Sequence, residues 1–358
     1  MHATRHELRT WAGRLIVCGF DGTQVTAELR EILREVRPLG LILFARNIES
    51  AAQVAEFNRE LKALRPTEPL LLSVDQEGGR VARLQPPFTP WPPMRRLGEV
   101  NDLALTEQVG AALARELRAL HFDVNYAPVT DVDTNSDNPI IGDRAFARSP
   151  EAVARHAVAL IRGMQGAGVG ACAKHFPGHG DTDQDSHLTL PSLEHDLRRL
   201  QQVEWPPFAA AIAADVGAIM TAHVRVTSLD SDVPATLSPR VINAHLRRGL
   251  GFTGCILSDD IEMRAVADAF SPGQMAHMGL NAGIDVFLAC HQPAIIQELY
   301  RGIVQAGESK QVPHITLEAA HRRAVHWRQR FWRAADRSLG GARALGAPAT
   351  QALLTRLS

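Results

Sequence analysis

The chain has 358 residues, of which 45% are hydrophobic, and its 38 basic and 39 acidic side chains nearly cancel. This length suffices for one large α/β barrel or for two smaller domains. The balanced charge, without a long run of one sign, argues against nucleic acid or an anionic membrane as a partner. A charged N-terminus, and no stretch approaching about 18 apolar residues, predict a cytoplasmic protein that is neither exported nor membrane-spanning.

Eight short apolar runs rich in β-forming residues alternate with longer segments whose apolar residues recur every three or four positions. The runs lie at 15–19, 40–44, 70–74, 122–127, 168–173, 218–222, 255–258 and 285–289. Helical patterns between them include 51–64, 105–120, 150–166 and 293–303. Such alternation predicts parallel strands joined by crossover helices.

Both a (β/α)8 barrel and a doubly wound sheet satisfy this alternation. Polar residues close behind several of the runs favour the barrel, because active-site residues collect at the carboxyl ends of barrel strands. No Gly-x-Gly-x-x-Gly follows the first run, so a dinucleotide-binding sheet loses its main support. We therefore predict one α/β catalytic domain, a (β/α)8 TIM-barrel-like fold over 1–335, followed by a C-terminal extension of unknown role over 336–358.

Asp75 follows the third run, and Arg80 and Arg83 come shortly after it. A carboxylate that accepts hydrogen bonds from two neighbouring hydroxyls, with an arginine donating nearby, suits the binding of a sugar. A salt bridge at the start of a helix explains the same residues. Taken alone, this segment favours the salt bridge.

The segment 174–187 is the densest in reactive side chains and reads Lys-His-Phe-Pro-Gly-His-Gly-Asp-Thr-Asp-Gln-Asp-Ser-His. Its glycines and proline would let the chain turn back over the mouth of a pocket. His175 and His179 are four residues apart, a spacing that serves zinc when both lie on one helical face. Pro177 and Gly178 argue against a helix, so zinc is the weaker alternative, beside a plain polar surface loop.

Asp185 and His187 end this segment. In an extended stretch they would point the same way, so the carboxylate could accept the imidazole N–H and fix the tautomer of the ring. Such a pair is a competent general acid/base near neutral pH.

Asp259 and Asp260 follow the seventh run directly. In a barrel, a carboxylate at this place projects into the pocket above the strand ends, where it could attack the anomeric carbon of a sugar. Adjacent aspartates point in different directions, so we expect at most one to be catalytic. The alternative is that both cap the helix that follows.

The segment 174–187 resembles the signature of family 3 glycoside hydrolases of the β-N-acetylhexosaminidase type, Lys-His-Phe/Ile-Pro-Gly-x-Gly-x4-Asp-Ser/Thr-His. Four further segments resemble the other blocks of that family in the same order, namely 74–81, 142–146, 220–223 and 258–263. The resemblance covers roughly residues 12–310. Five ordered blocks are far more specific than any one of them.

This resemblance implies a retaining glycoside hydrolase in which Asp259 is the nucleophile and His187, paired with Asp185, is the general acid/base. It also assigns the binding of the N-acetylglucosamine unit to Asp75, Arg83, Arg144, Lys174 and His175. It implies no metal and no organic cofactor.

The chain is too short for the additional α/β sandwich of many family 3 enzymes. It resembles the compact form of Gram-negative bacteria, which implies a cytoplasmic enzyme of peptidoglycan recycling. The implied substrate is N-acetylglucosaminyl-1,6-anhydro-N-acetylmuramic acid, with or without peptide, and neither nucleic acid nor membrane is implied as a partner. Two alternatives stay open: a phosphorylase, in which phosphate resolves the glycosyl-enzyme, and a catalytically silent sugar-binding protein on the same barrel.

Overall fold

The computed structural model describes residues 3–182 and 190–357, and in it eight parallel strands form a closed barrel. The strands are β1 (Ile16–Cys18), β2 (Gly40–Leu43), β3 (Leu71–Val74), β4 (Val124–Asn125), β5 (Gly170–Phe176), β6 (Ala218–Thr221), β7 (Cys255–Asp260) and β8 (Val286–Ala289). Each strand pairs with its neighbour in the chain, and β8 pairs with β1 to close the barrel. The predicted (β/α)8 TIM-barrel fold is confirmed.

Helices cover the outside of this barrel. They are α1 (Arg5–Gly13), α2 (Ala27–Glu35), α3 (Ala51–Ala63), α4 (Arg95–Val100), α5 (Leu103–Ala119), α6 (Pro150–Gly166), α7 (Leu197–Arg199), α8 (Pro206–Ala213), α9 (Arg264–Ala267), α10 (Pro272–Ala282), α11 (Pro293–Glu308), α12 (His314–Phe331) and α13 (Pro348–Thr355). Two π-helical segments, Leu200–Glu204 and Ile242–Gly249, accompany them. Within the described residues, no helix is both long and apolar enough to cross a membrane.

Capping residues explain where several helices begin. Ser50 accepts a hydrogen bond from the backbone N–H of Gln53 at the start of α3, and Ser149 caps α6 in the same way. Ser271 and Gln274 form a reciprocal capping box at the start of α10. Such caps satisfy N–H groups that have no partner within the helix. The four predicted helical segments are confirmed as α3, α5, α6 and α11, the last of which continues to Glu308.

Two strands extend further than the sequence predicts. β5 continues to Phe176 instead of ending at 173, and β7 continues to Asp260 instead of ending at 258. Both have a shift of register near the carboxyl end, at 174–176 in β5 and at 257–260 in β7. Such irregularities bend a strand and re-aim its side chains, and they are frequent beside active sites. The first residues of the segment 174–187, where the sequence predicts a loop, therefore belong to strand β5.

Hydrophobic side chains fill the barrel and its interface with the helices. Every residue of β1, β2, β3 and β8 is buried. Burial on both faces is what a parallel sheet covered by helices requires. The four cysteines are buried as free thiols in the same core.

The C-terminal extension packs on the outside of the barrel. Leu345 and Leu357 are buried, and the backbone N–H of Gly346 donates to the buried carboxylate of Glu116 on α5 at 2.8 Å. Arg96 Nε on α4 donates to the backbone carbonyl of Leu357, also at 2.8 Å. The extension therefore buries two leucines and is hydrogen-bonded to α4 and α5.

Candidate active site

A cavity of about 200 Å³ opens at the carboxyl ends of the strands. Six of the eight residues that the family resemblance assigns to the site line it, namely Asp75, Arg83, Arg144, Lys174, His175 and Asp259. The other two, Asp185 and His187, lie outside the described residues. The structure thus brings together residues from the ends of β3, β5 and β7 and from the segment after β4.

A buried ion-pair network forms one wall of this cavity. Lys174 Nζ lies 2.7 Å from Asp75 Oδ1 and 2.6 Å from Glu77 Oε1. Arg144 donates from Nε and from a terminal nitrogen to the two carboxylate oxygens of Glu77, each at 2.8 Å. Two parallel hydrogen bonds of this kind fix the orientation of a guanidinium group. Glu77, which the sequence analysis did not single out, therefore positions both Arg144 and Lys174.

The charges in this network hold one another ionised. Burial by itself would raise the pKa of Glu77, but Arg144 and Lys174 lower that pKa far below its usual range. Burial likewise opposes the charge of Lys174, and Asp75 and Glu77 overcome it and raise the pKa of the ammonium group. A buried charge is tolerated only with such partners. Asp75 and Lys174 together present an acceptor and a donor suited to the hydroxyls of a sugar.

Asp131 anchors His175, near the end of β5, and His179, which follows that strand. Its carboxylate accepts a hydrogen bond from His175 Nδ1 at 2.7 Å and another from the backbone N–H of His179, also at 2.7 Å. Gly180 allows the chain to pass close to the segment after β4, because a Cβ at this position would lie 1.8 Å from the carbonyl oxygen of Val132. Asp131 was not singled out from the sequence as a site residue either, although its place behind the fourth run was a signal.

Asp259 lies in the irregular end of β7. The register between β7 and β8 shifts here, and the hydroxyl oxygen of Ser258 accepts a hydrogen bond from the backbone N–H of Leu288 at 3.1 Å. A side-chain oxygen thus takes the place of a backbone carbonyl as the acceptor. Asp259 Oδ1 accepts the backbone N–H of Asp260 at 2.8 Å. Burial would raise the pKa of Asp259, but electrostatic attraction from His175 and the N–H of Asp260 lower it. An ionised carboxylate at the floor of a pocket is a suitable nucleophile.

Asp260 has a different environment from its neighbour. One of its oxygens accepts the backbone N–H groups of Glu262 and Cys290, at 3.1 and 3.2 Å. The other lies 3.3 Å from Nε2 of His291. These contacts hold the chain after β7 against the chain after β8, which is a structural role, although Asp260 also lines the cavity.

His223, at the end of β6, supports β7 from the side. Its Nε2 lies 3.0 Å from the backbone carbonyl of Asp260, which can only accept, so Nε2 carries the proton. Thr236 Oγ1 lies 2.9 Å from Nδ1 and 3.0 Å from the backbone carbonyl of Ala222. Burial lowers the pKa of His223 and favours this neutral form. The sequence contained His223 within a family-like block but did not indicate this contact.

Arg83 and Arg80 have separate surroundings. The Arg83 guanidinium lies 5.7 Å from the ring centroid of Phe44 at the cavity wall, and within the described residues its Nε has no hydrogen-bond partner. Arg80 instead donates to the backbone carbonyl of Ile141 at 3.1 Å and is half exposed. Of the two arginines considered beside Asp75, only Arg83 lines the cavity.

The described residues contain no group of three or more His, Cys, Asp or Glu side chains placed to hold a metal ion. The ring centroids of His175 and His179 are 6.0 Å apart, and His179 Nδ1 lies 2.7 Å from Thr182 Oγ1. Burial, together with the neighbouring His175, lowers the pKa of His179 to about 4. Both Nδ1 atoms thus have protein partners.

Several known proteins are similar to this chain in fold and in sequence. Residues 7–326 match the glycosyl hydrolase family 3 N-terminal domain. A β-hexosaminidase of Nitrosomonas eutropha is 39% identical over 326 residues, which cover 88% of this chain and 93% of the relative. A family 3 β-N-acetylglucosaminidase from Paenibacillus sp. superposes with a TM-score of 0.92 at 35% identity, over 98% of this chain and 68% of that one. NagZ from Neisseria gonorrhoeae, solved in complex with N-trifluoroacetyl-D-glucosamine, gives a TM-score of 0.82 at 33% identity over 96% of both chains.

Proposed function

The chain belongs to glycosyl hydrolase family 3 and is a glycoside hydrolase, and from this premise we propose that it removes terminal, non-reducing β-linked N-acetylglucosamine with retention of configuration. The observation that carries the proposal is the ionised carboxylate of Asp259 in a cavity lined by Asp75, Lys174, Arg144 and Arg83. A charged, hydrogen-bonding cavity of this composition suits a polar sugar better than an apolar ligand.

The proposed reaction is a double displacement. Asp259 attacks the anomeric carbon and forms a bond to it, while His187 gives a proton to the departing glycosidic oxygen. His187 then takes a proton from water, whose oxygen attacks the anomeric carbon and releases Asp259. Asp185 would accept the imidazole N–H of His187 and fix its tautomer throughout.

Recognition of the sugar is assigned to the network around Glu77. Asp75 accepts hydroxyl protons, and Lys174, Arg144 and Arg83 donate to hydroxyl or acetamido oxygens. Since Glu77 fixes Arg144 by two hydrogen bonds and Lys174 by one, these donors are in place before the sugar binds. Relatives named for β-hexosaminidase activity, and a relative solved with N-trifluoroacetyl-D-glucosamine, support an N-acetylated sugar.

For the natural substrate, we propose N-acetylglucosaminyl-1,6-anhydro-N-acetylmuramic acid, with or without peptide, hydrolysed in the cytoplasm during peptidoglycan recycling. Five sequence blocks that resemble those of family 3 β-N-acetylhexosaminidases support the assignment. NagZ from Neisseria gonorrhoeae also supports the assignment, because the superposition covers 96% of each chain and the two proteins are therefore similar in length.

A chromogenic β-N-acetylglucosaminide and the matching β-glucoside test the proposal together. We expect rapid turnover of the first and, relative to it, a kcat/KM at least about tenfold lower for the second. Equal kcat/KM values would contradict the N-acetylglucosamine assignment. The product released in phosphate buffer should be the free sugar, and a sugar phosphate would identify a phosphorylase instead.

A further inference from the structure

A second cavity, of about 570 Å³, lies at the opposite end of the barrel from the candidate active site. Its lining includes Gly217, directly before β6, and Gly254 and Cys255 at the start of β7. It is therefore formed at the amino ends of the strands, where barrel residues usually serve stability and not catalysis. Its volume falls in the range of small-molecule sites, roughly 300–1,000 Å³.

One face of α12 makes this cavity basic. Arg322, Arg323, His326 and Arg330 all line it, and their spacing along the helix places them on adjoining parts of one face. A further arginine, Arg247, approaches from the π-helical segment on the other side. Four guanidinium groups thus converge on one space.

Carboxylates neutralise only part of this charge. Arg247 and Arg323 both bind the buried Asp285, so one carboxylate serves two arginines. Arg330 lies 2.7 Å from Asp215. The carboxylate nearest to Arg322 among the described residues is that of Glu318, 3.8 Å away, and both side chains are largely exposed. Such an exposed pair is weak, so the cavity keeps an excess of positive charge.

The remaining wall is apolar and aromatic. Phe252 packs directly over the backbone of Gly254, where a Cβ would come within 2.5 Å of its ring. Trp327 is buried between the arginines of α12, and its indole N–H has no hydrogen-bond partner in the described part of the chain. A ligand here would meet an aromatic surface beside a cluster of cations.

We propose that this cavity binds a small organic phosphate. Arginine holds phosphate through paired, charge-assisted hydrogen bonds, and Arg322 has the least encumbered guanidinium group of the cluster, since Arg330 donates from two nitrogens to both carboxylate oxygens of Asp215. The organic part of the ligand lies against Phe252. The site is separate from the sugar cavity, so a ligand can occupy it together with a glycoside.

Calorimetric titration with phenyl phosphate tests the proposal, with inorganic phosphate and phenol as separate arms. We expect saturable binding of one phenyl phosphate, weaker binding of inorganic phosphate, and none of phenol. Arg322→Gln should weaken the binding of phenyl phosphate at least about tenfold, because one charged hydrogen-bonding partner is lost. Since Arg322 is exposed, this variant should fold as the wild type does.

Arg301→Gln is the matched control, because Arg301 is an exposed arginine on α11 that does not line the cavity. It should leave the affinity for phenyl phosphate unchanged. Both variants should hydrolyse the glycoside at the wild-type rate, which separates this site from the sugar cavity. No saturable binding of phenyl phosphate, or equal affinity in wild type and Arg322→Gln, would overturn the proposal.

Discussion

Glu77 shows how one buried carboxylate can organise several binding groups. It contacts Arg144 through both oxygens and Lys174 through one, and it is 2% exposed. Its removal would leave two buried cations, Lys174 with Asp75 as its acceptor and Arg144 with the backbone carbonyl of Ile140. An uncompensated buried charge is costly in free energy, which is why the network acts as a unit.

We expect Glu77→Gln to lower kcat/KM at least about tenfold, because Arg144 and Lys174 lose the partner that orients them. The free energy of unfolding should fall by about 3 kcal/mol, as for other buried pairs that lose one member. Kinetics on an aryl N-acetylglucosaminide and denaturant unfolding would measure the two effects. Glu99→Gln, which removes an exposed carboxylate 3.2 Å from Arg96, is the control and should change neither.

The stability effect of Glu77 also has a direction in pH. Because the folded-state pKa of Glu77 lies below the unfolded value of about 4.3, ionised Glu77 stabilises the protein above that pH. The difference in melting temperature between wild type and Glu77→Gln should therefore be largest at neutral pH and should shrink as the pH falls below about 4. A difference that grows in acid would contradict the assigned network.

The sequence indicated which reactive side chains lie at strand ends better than it indicated their contacts. Asp75, Lys174 and Asp259 were found because reactive side chains at strand ends are visible in a sequence. Glu77 and Asp131 were missed as site residues, because their roles depend on partners that are distant in the chain and meet only when the barrel closes. The partner of Glu77 on the segment after β4, for example, is 67 residues away.

At the scale of single elements, the irregular end of β7 decides where Asp259 lies. The shift of register between β7 and β8 leaves the N–H of Leu288 to be accepted by Ser258 Oγ. In Ser258→Ala this buried N–H loses its acceptor, which should lower the free energy of unfolding by about 1–3 kcal/mol. Because Asp259 is the next residue, kcat should also fall.

Ser238→Ala is the control for this prediction. Ser238 is equally buried, and its hydroxyl donates to Asp230 at 2.6 Å and accepts the N–H of Val241 at 3.2 Å, but it does not line the sugar cavity. It should lose stability without a loss of kcat. Similar kcat values in the two variants would show that the bonding of Ser258 does not position Asp259.

The segment with Asp185 and His187 carries the second element-scale prediction. If His187 is the general acid, His187→Ala should be slowed most on a disaccharide, whose leaving oxygen needs a proton, and less on an activated aryl glycoside. Asp185→Ala should cause a smaller loss of the same kind, because the imidazole stays but its tautomer is no longer fixed.

The double variant completes this test. Losses in groups that act together are not additive, so the double variant should be little worse than His187→Ala. Rates on both substrates for the three variants give the answer. Equal losses on the two substrates, or full additivity, would exclude the proposed pair.

Element boundaries were predicted unequally well, and for physical reasons. The ends of helices such as α6 were predicted closely, because the spacing of the hydrophobic residues, the capping serine and the proline in the first turn are all visible in the local sequence. The ends of β5 and β7 were placed short, because Lys174 and His175 in β5, and Asp259 and Asp260 in β7, are polar residues that line the cavity. Whether a polar residue continues a strand depends on its neighbours' register, which the local sequence does not contain.

For the whole molecule, the alternation of short apolar runs with helical segments was enough to predict the barrel. Each strand lies beside its chain neighbour, so the order of elements in the sequence already gives their order in space. The basic cavity at the other end was not predicted, because it requires α12 to lie against the starts of β6 and β7. The described residues thus form a charged cavity at each end of the barrel.

In the proposed reaction, Asp259 bonds to the anomeric carbon. A fluorinated N-acetylglucosamine derivative that forms the glycosyl-enzyme quickly and hydrolyses it slowly would trap this bond, and mass spectrometry of the digested protein would locate it. We predict the label on Asp259, and turnover in Asp259→Asn far below the wild type with the fold preserved. A label on Asp260, or activity of Asp259→Asn within about tenfold of wild type, which is about 1.4 kcal/mol of barrier, would contradict the claim.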